Sequence, residues 1–188
     1  MPILRHETDL FPQDVFELSG PDLRWWVAQV RSRQEKVLAR HLKPLGVGFY
    51  LPQREKRSGR ARRVFVSYLP LFSGYVFCRG SASSRLAARQ TNLISRVLDP
   101  VDQELLTREL MQLHALQEAG GTLVPSPDFI AGDSVRVVEG PFRGYTGVVL
   151  RGQGRTRLLV SITMLRKSVS VEFEGQTLVL AMTPRAVA

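Results

Sequence analysis

Cysteine is the scarcest residue of this chain, because Cys78 is the one thiol among 188 residues. A single cysteine excludes an internal disulfide and a zinc site built on several thiolates. Histidine is also rare, and the three copies stand far apart at His6, His41 and His114. Without a close group of nucleophiles, bases or acidic ligands, the sequence predicts no catalytic site, no metal site and no bound cofactor. We therefore expect a protein that is not an enzyme.

Long apolar runs are missing as well. No window holds the roughly 18 consecutive apolar residues that a membrane-spanning helix needs. The first twenty residues are acidic and interrupted by prolines, unlike the basic flank and apolar run of a signal peptide. A single thiol also suits a reducing compartment. We expect a monomeric, cytoplasmic protein without a membrane contact.

Acidic residues are too few to balance the basic ones. The chain has 26 Lys and Arg against 17 Asp and Glu, which gives a formal net charge of +9. Such a surplus favours polyanionic partners, chiefly nucleic acid, over membranes or acidic small molecules. A basic protein without such a partner is the alternative that charge alone leaves open.

The charge is unevenly spread along the chain. Residues 24–122 hold 17 basic and 7 acidic side chains, whereas residues 1–23 hold one basic and five acidic side chains. We therefore predict that residues 1–23 form an N-terminal extension outside the fold. Apolar residues in this segment leave open that it docks on the rest of the protein: Leu10, Phe11, Val15, Phe16 and Leu18.

The segment "EAGGTLVPSPDFIAGD", residues 118–133, marks the clearest boundary. Two glycines end a helical pattern, and the prolines that follow oppose continuation as a helix or a central strand. The sequence therefore predicts a first domain over 24–120, a linker over 121–131 and a second domain over 132–183.

Periodicity predicts an α+β fold for the first domain. "RWWVAQVRS" at 24–32 is strand-like, and "RQEKVLARHLKPLG" at 33–46 carries apolar residues at helical spacing. Further strands flank a charged hairpin or loop, and "DQELLTRELMQLHALQEAGG" at 102–121 is the strongest helical pattern of the chain. Strands joined by short links and interrupted by helices predict an antiparallel sheet packed with helices.

The second domain shows no helical period. Val135 and Val137 alternate with polar residues, and the same alternation runs through 158–164 and 168–173. About five short strands in so short a domain must curl to hide their edges, which predicts a small all-β barrel.

A dense basic run lies in the middle of the first domain. Six cations fall within ten residues, and Glu55 is the one acidic residue among them. Contact with nucleic-acid phosphates requires little more than such a density of charge. A solvated loop without a partner is the other interpretation. The six cations are Arg54, Lys56, Arg57, Arg60, Arg62 and Arg63.

Aromatic residues are concentrated in "YLPLFSGYVF", residues 68–77. In a strand, Tyr75 and Phe77 share one face. Packing in the core explains such a run, and so does an exposed groove for a partner. Composition alone favours the core and leaves the groove open.

Two motifs resemble those of a known family. "WWVAQVRSRQEKVLARHL" followed by "PLFSGYVFCR" resembles the N-terminal domain of the NusG family of transcription elongation factors. "GDSVRVVEGPFRGYTGVV" resembles the KOW motif of the same family, and the resemblance covers residues 24–182. A KOW motif alone also occurs in ribosomal proteins, whereas both motifs in this order are specific. The motif positions are Gly132, Val135, Val137, Gly140, Pro141, Phe142, Gly144, Gly147 and Val149.

The resemblance implies a fold and a set of partners. The first domain is expected to have the antiparallel sheet and helices of the family's N-terminal domain, and the second to form an SH3-like KOW barrel. The first domain would bind RNA polymerase at the clamp helices of its largest subunit. The KOW domain would recruit a termination factor or a ribosomal protein. By position, the polymerase-binding patch falls on Phe72, Tyr75 and Phe77, with Trp26 nearby.

The resemblance also implies contacts with nucleic acid. Arg31, His41 and Lys43 fall near the positions where specialised members meet non-template DNA, and nascent RNA is a second such partner. The strong basicity and the acidic extension fit a specialised paralogue of the RfaH kind better than a general factor. The alternative function is that of a ribosome-associated or RNA-binding KOW protein whose basic first domain binds RNA.

Overall fold

Antiparallel strands and helices make up the part of the chain that the computed structural model describes. The described residues are 6–60, 63–126, 135–137, 143–152, 155–172 and 180–182. The predicted α+β class is confirmed. The chain divides into two compact units, Met1–Gln103 and Glu104–Ala188, which we call unit 1 and unit 2. The predicted domain limits at residues 24, 120 and 132 stay a prediction.

Unit 1 is built on an antiparallel sheet. Its elements are β1 (Leu10–Phe11), β2 (Arg24–Val30), α1 (Glu35–Leu42), β3 (Gly48–Tyr50), β4 (Gln53–Arg60), β5 (Arg63–Pro70), β6 (Tyr75–Gly80), α2 (Ala82–Gln90) and β7 (Ile94–Leu98). Five strands form the sheet in the order β1-β3-β6-β2-β7, and β4 and β5 form a separate two-stranded ribbon. The sheet and helices match the pattern expected for the first domain.

The strand β2 lies between β6 and β7 in this sheet and is buried on both faces. Consecutive residues from Trp25 to Ala28 are all buried, which explains why "RWWVAQV" is almost continuously apolar instead of alternating. On one face, Trp26 and Ala28 pack in a core with Leu38 and Leu42 of α1. The apolar residues of α1 recur at helical spacing because that stripe covers this face of the sheet.

The N-terminal segment is part of unit 1. Leu10 and Phe11 pair with Tyr50 and Phe49 and so add β1 to the edge of the sheet. Val15 is completely buried. The expectation that this segment lies outside the fold is therefore wrong for its described residues, because its apolar side chains outweigh its charge as a determinant of position.

Unit 2 combines a helix with a second antiparallel sheet. Its elements are α3 (Gln103–Glu118), whose first residue closes unit 1, β8 (Thr122–Ser126), β9 (Val135–Val137), β10 (Thr146–Gly152), β11 (Arg155–Ile162), a short 3-10 helix (Thr163–Leu165), β12 (Lys167–Glu172) and β13 (Leu180–Met182). Six of these strands pair in the order β13-β9-β10-β11-β12-β8. Strand β8 lies within the segment that the sequence assigns to the linker. Its place at the end of the sheet tolerates Pro125, which cannot donate a backbone hydrogen bond.

Side chains of α3 hydrogen-bond to the 3-10 helix and to strand β10 of unit 2. The carboxylate of Glu109 accepts hydrogen bonds from the backbone N–H and the hydroxyl of Thr163. The side chain of Gln112 donates to the carbonyl of Thr146. Four leucines form the buried side of α3: Leu106, Leu110, Leu113 and Leu116.

Candidate functional site

The predicted aromatic patch is divided between the two faces of the unit 1 sheet. Tyr75 and Phe77 share a face because they stand two residues apart in β6. Trp26 pairs with Cys78 and therefore lies on the opposite face, in the core beneath α1. Trp25, one residue earlier, shares the face of Tyr75 and Phe77. The period of two residues in a strand is the signal that assigns Trp25, and not Trp26, to this face.

Burial separates these aromatic residues further. Trp26, Phe72 and Phe77 are 2%, 4% and 0% exposed. Tyr75 is half-buried and is the one member of the predicted patch with an appreciable surface. A side chain without exposed surface contributes packing and cannot itself contact a partner, so the core interpretation holds for the other three.

An array of aromatic rings underlies this face of the sheet. The ring of Phe72 meets Phe77 edge-on with centroids 5.7 Å apart, and the centroids of Phe77 and Tyr50 are 6.5 Å apart. Phe16 of the N-terminal segment lies 5.5 Å from Tyr50 and 5.7 Å from Trp25. Such contacts contribute about 0.5–1.5 kcal/mol each beyond the area that they bury.

Three side chains with exposed surface form a row on this face across β6, β2 and β7. In the ladder, Tyr75 stands opposite Gln29, and Gln29 stands opposite Arg96. Tyr75 and Gln29 are half-buried, and Arg96 is exposed. A phenol, an amide and a guanidinium therefore lie side by side on one surface, which we call the Tyr75 row.

The loop before β6 fixes the position of Tyr75. Gly74 has a φ of +85°, a conformation that glycine adopts without steric cost. The backbone N–H of Gly74 donates to the carboxylate of Glu35 at 2.6 Å, and its carbonyl accepts from the N–H of Val30 at 2.9 Å. Glu35 is 3% exposed. Sequence reasoning missed this residue, because its partner is distant in the chain.

We expect Glu35→Ala to lower the free energy of unfolding by about 1–3 kcal/mol, because it leaves the N–H of Gly74 without its acceptor. Urea denaturation followed by tryptophan fluorescence measures this loss, since both tryptophans of the chain lie in β2. Glu35→Gln is the control, since the amide oxygen still accepts the bond. Equal losses in the two variants would contradict a role for this hydrogen bond.

The basic run forms the β4–β5 ribbon, so the hairpin interpretation is confirmed. Eight register pairs join the two strands, from Gln53–Pro70 to Arg60–Arg63. Arg57 and Lys56 are both exposed. Arg57 forms an ion pair with Glu55. Arg62 and the side chains of Arg60 and Arg63 lie outside the described residues.

The residues predicted to meet DNA from α1 and its surroundings are exposed. Arg31 follows the end of β2, and His41 and Lys43 lie at the end of α1. The Nδ1 atom of His41 lies 2.8 Å from the carbonyl oxygen of Val37. The ammonium group of Lys43 lies 5.9 Å from the centre of the Phe11 ring, a cation–π geometry.

Glu7 connects the base of the ribbon to α1. Its backbone makes two hydrogen bonds with the side chain of Gln53, the first residue of β4. Its carboxylate accepts a hydrogen bond from Arg40, which holds the pKa of Glu7 below its usual value. The N-terminal segment therefore contacts both the first residue of the ribbon and α1. The acidic composition of the segment indicates such a contact but does not locate it.

The described part of the KOW motif forms β9 and the start of β10. Val137 is completely buried; its backbone N–H donates to the carbonyl of Tyr145, and its carbonyl accepts from the N–H of Gly144. Gly144 has a φ of +93°, which accounts for a glycine there. Val135 lies in β9, and Gly147 and Val149 lie in β10. The positions outside the described residues are Gly132, Gly140, Pro141 and Phe142.

The described part of the chain offers little for chemistry. It contains no group of three or more His, Cys, Asp and Glu residues that could hold a metal ion. Cys78 is fully buried, and burial raises the pKa of its thiol well above the usual value, so the reactive thiolate does not form. None of the helices described combines the length and the apolarity that crossing a bilayer requires.

Comparison with known proteins finds the same two segments that the sequence motifs mark. A family model described as "Transcription termination factor nusG" matches residues 23–112, and one described as "KOW motif" matches residues 131–153. A solved structure described as "Domain interaction in Thermotoga maritima NusG" has a TM-score of 0.48 and 20% sequence identity, covering 79% of this chain and 92% of that chain. No curated protein matches the chain.

Proposed function

Since the chain belongs to the NusG family of transcription factors, we propose that it acts on elongating RNA polymerase without chemistry of its own. The domain over residues 24–120 binds the polymerase, and the KOW domain over 132–183, joined through the linker 121–131, recruits a second factor. The protein acts in the cytoplasm as a monomer. Its net charge of +9 supports a specialised paralogue of the RfaH kind.

The Tyr75 row carries the proposal for polymerase binding. Tyrosine and arginine are, with tryptophan, the side chains enriched at the energetic centre of an interface. Here Tyr75 and Arg96 flank Gln29 on an exposed surface. Phe72 and Phe77 pack beneath this surface and hold it rigid. The clamp helices of the largest subunit are the partner that the family implies.

We expect Tyr75→Ala to weaken binding to core RNA polymerase by roughly 30-fold, since loss of a central tyrosine costs about 2 kcal/mol or more. Biolayer interferometry with immobilised polymerase measures the affinity. Leu45→Ala is the matched control, because it also truncates an exposed apolar side chain of unit 1, which is 47% exposed in the wild type. Unchanged affinity of the Tyr75 variant would refute the assigned surface.

Two basic surfaces of unit 1 contact nucleic acid in this proposal. Arg31, His41 and Lys43 form one, and the basic run from Arg54 to Arg63, whose described residues belong to the β4–β5 ribbon, forms the other. Non-template DNA and nascent RNA are the candidate partners. Phosphate contacts are typically salt-dependent, so binding through these surfaces weakens as ionic strength rises.

The exposed cations of the ribbon also favour a second candidate, a ribosome-associated or RNA-binding protein. Co-sedimentation with ribosomes in the absence of polymerase would support it. The KOW domain is the expected site for a termination factor or a ribosomal protein. Capture of core polymerase but not of ribosomes by the full-length protein would favour the elongation factor.

A further inference from the structure

The β4–β5 ribbon has two chemically different faces. Side chains alternate along each strand, and residues opposite each other in the register share a face. One face carries Glu55 and Arg57, whose ion pair lies beside Tyr68, the residue opposite Glu55. Arg57 is the one described cation on this face, which we call the paired face, and Glu55 neutralises its charge.

The other face, which we call the cationic face, carries Arg54, Lys56 and Phe65. Lys56 is exposed, and the Nε atom of Arg54 is buried without a hydrogen-bond partner among the described residues. Phe65 stands opposite Ser58 in the register and is 37% exposed. Lys56 is therefore the diagonal neighbour of Phe65, and the Cα atoms of such neighbours lie about 7–8 Å apart. An exposed phenyl ring thus lies beside charges for which the described residues provide no acidic partner.

We propose that the cationic face binds a single strand of nucleic acid, with a base stacked on Phe65 and the flanking phosphates on Lys56 and Arg54. The inference rests on the proposed contact of the ribbon with nucleic acid and specifies its chemistry. Proteins that hold single strands combine cations that follow the backbone with aromatic rings on which bases stack. DNA and RNA strands share both features.

The one-sided arrangement favours a single strand over a duplex. Paired bases in a duplex present only their edges to a protein, so a phenyl ring finds no free base plane. A ribbon lying in the major groove also has a phosphate backbone on each side of it. Here Arg54 and Lys56 share a face with the ring of Phe65. A single strand can place its phosphates on the cations and an unpaired base on the ring of that same face.

Fluorescence anisotropy of the full-length protein with labelled oligothymidylate, oligouridylate and a DNA duplex of equal length tests the inference. Phe65→Ala is expected to weaken binding of single strands roughly 5- to 150-fold, the loss of one stacked base, and to leave duplex binding unchanged. Phe65→Trp keeps an aromatic plane and is expected to keep the affinity. The two oligonucleotides distinguish DNA from RNA as the preferred strand.

A matched variant on the paired face provides the control. Val64→Ala truncates a side chain that is 64% exposed and should leave single-strand affinity within about twofold. Arg54→Gln with Lys56→Gln should lower the salt slope by about 1.4, since each contact with single-stranded phosphate contributes about 0.7.

The possible failures have different meanings. Unchanged single-strand affinity of the Phe65→Ala variant overturns the stacking inference alone. The same holds if the wild-type protein binds the duplex more tightly than the single strands and Phe65→Ala weakens both complexes equally. If the wild-type protein binds none of the three probes at low salt, the nucleic-acid role of the ribbon fails as well. Polymerase binding by the Tyr75 row is measured separately and does not depend on either result.

Discussion

Phe77→Ala is expected to lower the free energy of unfolding by about 3–5 kcal/mol, the usual cost of removing a buried phenyl ring. The ring is completely buried and packs against Phe72 and Tyr50. Its loss leaves a cavity in the layer that supports the Tyr75 row. Guanidinium denaturation followed by tryptophan fluorescence measures the change, because both tryptophans lie in β2, the neighbouring strand.

Tyr75→Ala is the control for this experiment, since Tyr75 lies two residues away on the same face and is half-buried. It should cost about 1 kcal/mol or less, as surface substitutions do. A Phe77→Ala variant with wild-type stability but without polymerase binding would show instead that the ring itself meets the partner. We therefore predict separable roles for these two members of one motif, packing for Phe77 and polymerase contact for Tyr75.

Val15→Asp is expected to lower the free energy of unfolding by several kcal/mol, because it places an unpaired carboxylate in an apolar site. Val15 is 0% exposed and belongs to the N-terminal segment that packs on unit 1. The same denaturation experiment applies. The large effect is expected because the segment contributes both a strand and part of the core.

Gln13→Asp is the matched control, since it introduces the same charge at an exposed position two residues away. It should change the free energy of unfolding by no more than about 0.5 kcal/mol. If Val15→Asp were equally harmless, the N-terminal segment would not be docked on the sheet in solution. A loss in both variants would point to net charge and not to burial.

Local patterns predicted the elements of this fold well. The leucines of α3 recur at helical spacing, and the basic run from Arg54 to Arg63 pairs as a hairpin because β-favouring residues follow it. The family was also accessible from sequence, since the N-terminal motif and the KOW motif fall within the matched segments. Each of these inferences rests on residues that are close together in the chain.

The errors concern residues whose partners are distant. The acidic charge of residues 1–23 suggested an extension outside the fold, but the pairing of Leu10 with Tyr50 depends on a strand about forty residues away. The expected position of Trp26 near Tyr75 was wrong. Trp26 pairs with Cys78, and residues 75 and 78 of β6 point to opposite faces of the sheet. Glu35 was overlooked because its partner, Gly74, is remote in sequence.

The sequence by itself determined the periodicities, the basic surplus and the two motifs, and therefore the fold class and the family. Tertiary structure decided which aromatic residues are buried, which cations are neutralised and where the N-terminal segment lies. The physical reason is that a period fixes which side chains share a face, whereas exposure depends on what packs against that face. Phe65 and Tyr75 emerge as candidate contacts because they retain exposed surface in the folded unit.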